Sequence, residues 1–414
     1  MESIIIRDVV VKTNRIDINF EISEGLKKYF PYGGHFFAEY DTDISAVPES
    51  IAVVPILLNL LQFSWLTDCI VWVKEIDKVF YEMIPKLKAV FSELYPNFKF
   101  GGTLIPAKII ENEMNYTDNV IQLFTGGVDA STTYCRIQDK HPILVNTNGW
   151  YKEDIEQNDV FDADFKFIHN FAEAHETKCS LVRSNFARFI NAAVIDKEFY
   201  KNTKNTWWFG FQHSMAFLGC AFVLGYVYGV KTIYISSSYT FGEQVVCVSD
   251  PRTDMCLKCA GMSVIHDAYE LSRQDKVKYL VESQKNNKID LPLRVCSFNT
   301  RNCCKCEKCL RTMLAIVAEG GSLDDFNLTP EKDLFQTVKN FLKTDILELD
   351  HDHIVFWKQI ISRMGENIEN ICEKEVYEFL KDYPFEKKKK EFLLHYYSTN
   401  FFEIISRKIK QRLK

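Results

Sequence analysis

The stretch VIQLFTGGVDASTTY, residues 120–134, places a threonine, two glycines and an aspartate directly after an apolar run. The apolar run predicts a buried β-strand, and the residues after it predict a helix that begins near Ala130. Gly126 and Gly127 allow a sharp turn between the two, because glycine accepts positive φ and has no side chain. We therefore predict a turn whose backbone amides, with the N-terminus of the helix, bind an anion such as phosphate.

Apolar segments that alternate with longer helical stretches predict a parallel α/β sheet in the middle of the chain. The segments are VIQLFT (120–125), HPILVNTN (141–148), CSLVRSN (179–185) and KTIYISSS (231–238). Alternating apolar segments near the start of the chain, followed by helix-like runs, predict a small α+β domain there, and the last part of the chain has a helical pattern. The predicted domains are residues 1–115 (α+β), 116–320 (parallel α/β) and 321–414 (helical).

The composition is that of a large globular protein with 414 residues, of which 47% are hydrophobic. Such a chain is long enough for two or three domains. A net charge of −6 and a pI of about 5.9 argue against a protein that coats nucleic acid, because such proteins carry an excess of Lys and Arg over a whole face. We find no pattern of a secretory signal at the N-terminus and expect a cytoplasmic protein without a nucleic-acid partner.

Two apolar stretches, residues 51–67 and 207–229, have nearly the length of membrane spans. The first contains Pro55, and the second contains several polar residues and leads directly into a predicted strand. We expect both to be buried elements of a soluble protein, so no membrane partner is predicted. For the basic run at residues 386–414 we prefer a helical pair with a solvated face to a tail that binds a membrane or a nucleic acid.

A cysteine cluster is the second strong pattern, in RVCSFNTRNCCKCEKCLRTMLAI at residues 294–316. Five cysteines fall within fourteen residues there, and four thiolates can surround one tetrahedral Zn²⁺. The predicted zinc ligands are Cys296, Cys303, Cys306 and Cys309, with Cys304 as the substitute for Cys303.

The other cysteines carry weaker signals. Cys256 and Cys259 form another C-x-x-C pair, but nothing near them in sequence completes a closed zinc site, so we favour a role without metal. The remaining cysteines are scattered and are expected to be small core residues. A disulfide scaffold is not expected in a chain without a secretory signal.

The glycine turn lacks the Gly-Lys-Ser/Thr ending of a Walker A loop and resembles the PP-loop of the ATP pyrophosphatase superfamily, Ser-Gly-Gly-any-Asp-Ser. Thr125 keeps the first hydroxyl of that motif, and Ala130 lacks the second, which Ser131 or Thr132 can partly replace. A PP-loop followed by a four-cysteine knuckle resembles the 7-cyano-7-deazaguanine synthase family, over about residues 118–318. The N-terminal and C-terminal regions lie outside this resemblance.

The resemblance implies that a substrate carboxylate attacks the α-phosphate of ATP, which gives an acyl-adenylate and pyrophosphate, and that ammonia or an amine then displaces AMP. The ATP-binding residues would be Thr125, Gly126, Gly127, Val128, Asp129, Ala130, Ser131, Thr132 and Ser237. Asp129 would place Mg²⁺, and Arg273 and Lys276, three apart on one predicted helix, would bind phosphate or carboxylate. These three form the expected catalytic set. The zinc would be structural, because four thiolates leave it no open position.

Several of these assignments have plainer alternatives. Arg273 and Lys276 equally fit an exposed, salt-bridged helix, and the serines at 236–238 equally fit a polar loop. His213, in an apolar helix, fits a core histidine better than a substrate contact.

The function expected from the sequence is a C–N bond-forming ligase that acts on a deazaguanine-like acid, another small acid, or a protein or peptide terminus. Relatives of the synthase occur in specialised modification pathways and in bacterial antiphage systems. One alternative is a tRNA-modifying PP-loop enzyme, which needs a basic surface. The other is a non-catalytic nucleotide-binding assembly protein, in which Ala130 marks a decayed site. A homodimer, or a partner protein bound through the N-terminal domain, is left open.

Overall fold

The structure is a computed structural model that describes residues 2–150, 159–242, 245–287, 289–297 and 299–399. The strands are β1 (Ser3–Val11), β2 (Arg15–Ile22), β3 (His35–Tyr40), β4 (Ile70–Asp77), β5 (Thr103–Ile110), β6 (Val120–Leu123), β7 (Ile143–Asn148), β8 (Cys179–Ser184), β9 (Thr232–Ser236), β10 (Lys258–Cys259) and β11 (Met262–Asp267). The α-helices are α1 (Glu49–Ala52), α2 (Val54–Thr67), α3 (Lys78–Leu94), α4 (Val128–Ile137), α5 (Asp159–Ala174), α6 (Ala192–Thr203), α7 (His213–Tyr228), α8 (Pro251–Asp254), α9 (Arg273–Asn287), α10 (Glu307–Ala318), α11 (Leu334–Thr344), α12 (His351–Glu366), α13 (Lys374–Leu380) and α14 (Phe385–Thr399). Part of the C-terminal helical region predicted for residues 321–414, namely residues 400–414, lies outside the described residues.

The eleven strands of the described residues form one sheet in the order β10-β11-β9-β6-β7-β8-β3-β2-β1-β4-β5. Neighbours are parallel from β11 through β9, β6 and β7 to β8, and again from β1 through β4 to β5. The pairs β8–β3, β3–β2, β2–β1 and β10–β11 are antiparallel. The protein is therefore an α/β protein with a mostly parallel sheet, as the sequence predicts for its central region.

The five parallel strands β8-β7-β6-β9-β11 have the arrangement of a doubly wound sheet. Numbered along the chain from β6, their order is 3-2-1-4-5, so the direction of winding reverses between β6 and β9. At such a reversal the connections after two neighbouring strands leave to opposite sides and open a crevice at the carboxyl ends of the strands. The turn at Gly126 and Gly127 follows β6 and lies at this crevice.

Strands β1 to β5 extend the same sheet, because β3 pairs with β8 from Ala38 opposite Ser184 to Tyr40 opposite Val182. The predicted α+β region, residues 1–115, thus shares a sheet with the central region. The chain separates into two compact units, Met1–Arg273 and Gln274–Lys414. The domain limits at 115 and 320 stay predictions of the sequence.

Two helices in the first unit are buried on nearly every side. All residues of α2 except Thr67 are buried, and 78% of the apolar window in the helical segment Trp208–Tyr228, which includes α7, is buried. The segment Trp208–Tyr228 is long and apolar enough to cross a membrane, but here α7 packs against α2 and against β6, β7 and β9. Both apolar stretches are thus core helices, as expected from the sequence. A helix with apolar side chains on every side is stable in water only when other elements pack against every side.

A buried amide network joins these helices where the apolar packing is interrupted. Nε2 of Gln212, at the end of a π-helical turn (Trp208–Gln212), donates to Oδ1 of Asn59 at 2.8 Å and to the carbonyl of Phe186 at 2.7 Å. Nδ2 of Asn59 donates to the carbonyl of Pro55 at 2.8 Å. These hydrogen bonds connect α2, the turn that leads into α7 and the segment after β8. They therefore fix the relative positions of these three elements.

Asp77 connects two distant parts of the sheet. Asp77 is the last residue of β4, its side chain is fully buried, and Oδ1 accepts from the backbone N–H of Phe80 and of Ala260, both at 2.9 Å. Oδ2 accepts from Nδ2 of Asn112 at 2.9 Å. Because Ala260 lies in the turn between β10 and β11, this carboxylate joins strands from opposite ends of the strand order, and α3 packs against β10 beside it.

The second unit is helical after the cysteine segment. Within its described residues, 321–399 contain helices α11–α14 and no strand, in agreement with the helical pattern of the sequence. Its core includes Trp357, which is buried and donates from Nε1 to Oε1 of Glu307 at 3.2 Å. Arg363 pairs with Glu319 at 2.8 Å and ties α12 to the end of α10.

We predict that Asp77→Ala lowers the free energy of unfolding by about 3 kcal/mol, because it leaves the buried N–H groups of Phe80 and Ala260 without an acceptor. Urea unfolding of the full chain measures the loss. Asp139→Ala is the control, because Asp139 is exposed, and we expect a change within about 0.5 kcal/mol there. Equal unfolding midpoints for the two variants would contradict the role of Asp77.

Candidate functional site

The glycine turn has the backbone geometry that the sequence predicts for it. Gly126 has φ +73°, and a Cβ at this residue would lie 2.2 Å from the ring of Phe167. Gly127 is the N-cap of α4 with φ −80° and ψ 170°, and Thr125 before the glycines is exposed. Gly126 is therefore needed both for its left-handed conformation and for the close approach of Phe167.

Two buried amide side chains on the neighbouring strands β6 and β7 hold this turn in place. Nδ2 of Asn146, near the end of β7, donates to the carbonyl of Phe124 at 3.0 Å. Nε2 of Gln122, on β6, donates to the carbonyl of Ala130 at 2.6 Å. These two hydrogen bonds fix the turn to the sheet through its backbone carbonyl groups and involve none of its N–H groups.

The first turn of α4 presents backbone amides without a side-chain cap. Gly127 has no side chain with which to accept from them, although residues such as Ser or Asp usually do so at this position. The first amides of any helix lack a partner within the helix, and the helix dipole adds partial positive charge at the same point. This end of α4 can therefore bind an anion at the carboxyl edge of β6.

Asp129 and Arg273 meet at this turn although 144 residues separate them. Nη1 of Arg273, the first residue of α9, lies 3.0 Å from Oδ2 of Asp129. Both side chains are about one-fifth exposed, so the pair is neither fully buried nor freely solvated. Two of the three residues of the predicted catalytic set are thereby brought together.

The opposite side of the crevice is formed by the ends of β9 and β11. Asp267 accepts from Oγ1 of Thr133 at 2.9 Å and from Nε of Arg136 at 3.2 Å, so it fixes α4 to β11. The backbone N–H of Ser237 donates to the carbonyl of Asp267 at 2.9 Å, and its hydroxyl donates to the carbonyl of Tyr239. Ser237 lies where the sequence predicts, at the carboxyl edge of the sheet, and its hydroxyl takes part in the loop's own structure.

The other predicted residues have varied surroundings. Ser131 and Thr132 are fully buried in α4, where the hydroxyl of Thr132 donates to the carbonyl of Val128 at 2.9 Å. Lys276 is fully buried and belongs to the second compact unit. His213 is half-buried at the start of α7, where its Nδ1 lies 3.0 Å from the carbonyl oxygen of Trp208.

The four predicted zinc ligands come together in the second unit. The sulfur atoms of the group all lie within 4.8 Å of one another, which is the arrangement of a site that can hold a metal such as zinc; the group is Cys296, Cys303, Cys306 and Cys309. Hydrogen bonding from Cys309 lowers the pKa of the Cys306 thiol to about 5. The thiolate form, which this favours, is the form that binds metal.

Neighbouring amides support the cluster and separate it from the spare cysteine. The backbone N–H of Cys306 and Nδ2 of Asn299 each donate to a cluster sulfur at 3.4 Å. Oδ1 of Asn302 accepts from the N–H of Cys296 at 3.2 Å and shapes the loop. Cys304 has φ +52° and lies outside the group of four, and burial raises the pKa of its thiol to about 11.

The pair Cys256 and Cys259 does not belong to a metal-binding group among the residues that the structure describes. Both side chains are buried, and burial together with the charge of Asp77 raises the pKa of Cys259. These thiols pack in the core beside the turn that Asp77 anchors.

Sequence reasoning missed Cys247 and Asp254, which lie near His213 and His266 at the same edge of the sheet. Sγ of Cys247 lies 3.8 Å from Nε2 of His213, and Oδ2 of Asp254 lies 2.8 Å from Nδ1 of His266. Their spacing in the sequence matches no motif, because each contact joins different segments of the chain: His213 begins α7, Asp254 ends α8 and His266 lies in β11.

Comparison of the chain with protein-family models, with curated proteins and with solved structures finds no match. The functional assignment therefore depends on the residues and geometry described above.

We predict different effects on stability for serine at the two glycines. Gly126→Ser forces a side chain into the left-handed region and against Phe167, so we expect a loss of at least about 1 kcal/mol in the free energy of unfolding. Gly127→Ser meets no atom closer than Oγ1 of Thr125 at 3.6 Å and adds a favoured N-cap, so we expect no loss. Thermal and urea unfolding measure both, and equal losses would contradict the conformation of the turn.

Proposed function

We propose that the protein is an ATP-dependent ligase that adenylates a carboxylate and releases pyrophosphate. The observation that carries the proposal is the glycine turn at the reversal of strand order, with uncapped α4 amides and the Asp129–Arg273 pair beside it. Open α/β sheets bind ligands at such reversals, and a glycine turn that leads into a helix is suited to phosphate.

The charged pair has a defined part in this reaction. Asp129 would hold Mg²⁺, which on binding neutralises phosphate charge, since a carboxylate beside a phosphate site is a usual ligand for this ion. Arg273 forms a charge-assisted hydrogen bond to Asp129 and has further donors with which to bind phosphate oxygens. The charges of both residues thus lie next to the α4 amides, where negative charge develops during phosphoryl or nucleotidyl transfer.

The glycine turn also differs from the loop of enzymes that cleave at the γ-phosphate. A Walker-type loop carries a lysine that reaches the β- and γ-phosphates, and residues 125–132 contain none. The attack that the resemblance to the PP-loop implies is on the α-phosphate by a carboxylate oxygen, with pyrophosphate as the leaving group, and the absence of a Walker lysine agrees with it. Ammonia or an amine then attacks the acyl carbon and AMP leaves. The acceptor is a deazaguanine-like acid, another small acid, or the carboxyl group of a peptide.

The four-cysteine group holds a structural zinc ion in this proposal. Four thiolates complete a tetrahedral shell, which leaves no position for a reactive water. The N–H···S bonds from Cys306 and Asn299 suit thiolate ligands, because they stabilise negative charge on sulfur. Zinc would then stabilise the fold of the second unit and take no part in bond making.

The nucleotide products test the reaction. Full-length protein is incubated with α-labelled ATP, Mg²⁺, ammonium chloride and a panel of acids that includes a deazaguanine carboxylate, and the products are separated by chromatography. We expect AMP and pyrophosphate in equal amounts with the true acceptor. ADP as the main product, or no AMP with any acid, would contradict the proposal.

We further predict that Asp129→Asn and Gly127→Ser each lower AMP formation about 100-fold or more. The first removes the charge proposed to hold Mg²⁺, and the second lets a hydroxyl occupy the α4 amides in place of phosphate. Circular dichroism and unfolding midpoints serve as the control for folding. AMP formation at the normal rate in both variants would rule out the turn as the ATP site.

We predict that one zinc ion co-purifies with each chain. Elemental analysis should show its loss in the double variant Cys306→Ser and Cys309→Ser, with a lower melting temperature, because metal binding contributes directly to folding. Cys372→Ser is the matched control, since Cys372 is an exposed cysteine of the same unit. Unchanged zinc content in the double variant would overturn the assignment.

A further inference from the structure

The four-cysteine group of the second unit is accessible from one side. Two of its members, Cys303 and Cys306, are half-buried, whereas the other two are buried. Cys303 and Cys306 also line a cavity of about 510 Å³, together with the exposed residue Lys305. Small molecules in solution can therefore reach two of the four predicted zinc ligands.

A fifth thiol lies at the same cavity. Cys304 is buried, is not a member of the group of four, and lines both this cavity and a second one of about 340 Å³ that shares Cys303 and Lys305 with it. Its thiol donates to the carbonyl of Asn302 at a sulfur–oxygen distance of 3.8 Å. Because a thiol is a weak donor, this contact holds the side chain only loosely, and the thiol is available to react with a neighbouring sulfur.

The path of the chain selects Cys306 as the partner of Cys304. A disulfide usually joins residues whose Cα atoms are about 4.4–6.8 Å apart, and the consecutive Cα atoms of Cys303 and Cys304 are closer than this, at about 3.8 Å. One residue separates Cys304 from Cys306, and the chain bends at 304–306, with Cys304 at φ +52°. Two residues of extended chain span at most about 7 Å, and a bend shortens this distance into the range that a disulfide needs.

We propose that Cys304 makes the four-cysteine group a redox-sensitive switch, in which hydrogen peroxide converts Cys304 and Cys306 into a disulfide and the zinc site loses a ligand. Oxidation starts at Cys306, because it is half-buried and lines the cavity, and because thiolates are the form that peroxide oxidises. The other three members of the group are held as ligands, so the spare thiol of Cys304 is the one available to complete the reaction.

The reaction takes two steps. Hydrogen peroxide transfers one oxygen to the sulfur of Cys306, which gives a sulfenic acid and hydroxide. The sulfur of Cys304 then attacks the sulfur of Cys306, the S–S bond forms as the S–O bond breaks, and the oxygen leaves as water with the thiol proton of Cys304. The two sulfur atoms together lose two electrons, which the peroxide takes. Three thiolates remain at the site, so it binds zinc more weakly, and a reducing thiol reverses the change.

Zinc release measures the switch and needs no assay of activity. Full-length, zinc-loaded protein is treated with hydrogen peroxide, and a colorimetric zinc chelator follows the released ion. We expect Cys304→Ser to bind one zinc ion, as the unmodified protein does, and to release it at least fivefold more slowly in peroxide. Cys372→Ser, which removes an exposed cysteine of the same unit, should release zinc at the rate of the unmodified protein.

Tryptic peptides identify the bond that forms. Cleavage after each Lys and Arg of this segment places Cys304 and Cys306 on separate peptides, residues 302–305 and 306–308. After peroxide treatment and alkylation, mass spectrometry without reduction should find these two peptides linked, and the link should be absent from Cys304→Ser. Dithiothreitol followed by zinc should restore the original zinc content.

Every other result overturns the switch. Zinc that stays bound in peroxide, or equal release from Cys304→Ser and the unmodified protein, would show that Cys304 has no part in oxidation. A link between other peptides would contradict the pairing of Cys304 with Cys306. Cys304→Ser purified without zinc would make Cys304 a ligand, and zinc content that reduction fails to restore would show irreversible damage.

Discussion

Burial of α2 and α7 is the constraint on which the first unit depends. Each helix is apolar on nearly all sides, and each fully buried Leu, Ile or Phe side chain contributes roughly 1.5–3 kcal/mol relative to exposure. The additional strands β1 to β5 supply cover for α2, which packs against β4 and β5, while α7 packs against β6, β7 and β9. Strands from both parts of the sheet thus cover two helices that are apolar on nearly all sides.

This arrangement also decides where chemistry can occur. Because α7 crosses from β8 to β9, the strand after it lies on the other side of β6, and the winding reverses between β6 and β9. The carboxyl ends of these strands carry the glycine turn, the Asp129–Arg273 pair and the contact between His266 and Asp254. The same crossover that buries the most apolar helix therefore creates the crevice beside it.

Three aspartates show how the surroundings of a carboxylate separate structural from functional positions. Asp77 is fully buried and each of its oxygens accepts a hydrogen bond. Its role is therefore structural, because it connects the end of β4 to the turn between β10 and β11. Asp254 is equally buried, but only one of its oxygens is occupied by the described residues. Asp129 is partly exposed and faces an arginine at the end of a helix with uncapped amides. Incomplete or exchangeable pairing is the feature expected of a group that receives a ligand.

The sequence by itself determined the features whose contacts are local. The strand, the turn and α4 occupy adjacent residues, and the four cysteines lie within fourteen residues, so their geometry follows from spacing and from the freedom of glycine. Tertiary structure alone decided that Asp129 meets Arg273, that Asp77 reaches the N–H of Ala260, and that Asp254 meets His266. It also decided that residues 1–115 share the sheet of the central region. Contacts between distant residues leave no period or spacing in a sequence, because they arise only when packing of the apolar helices brings the strands into order.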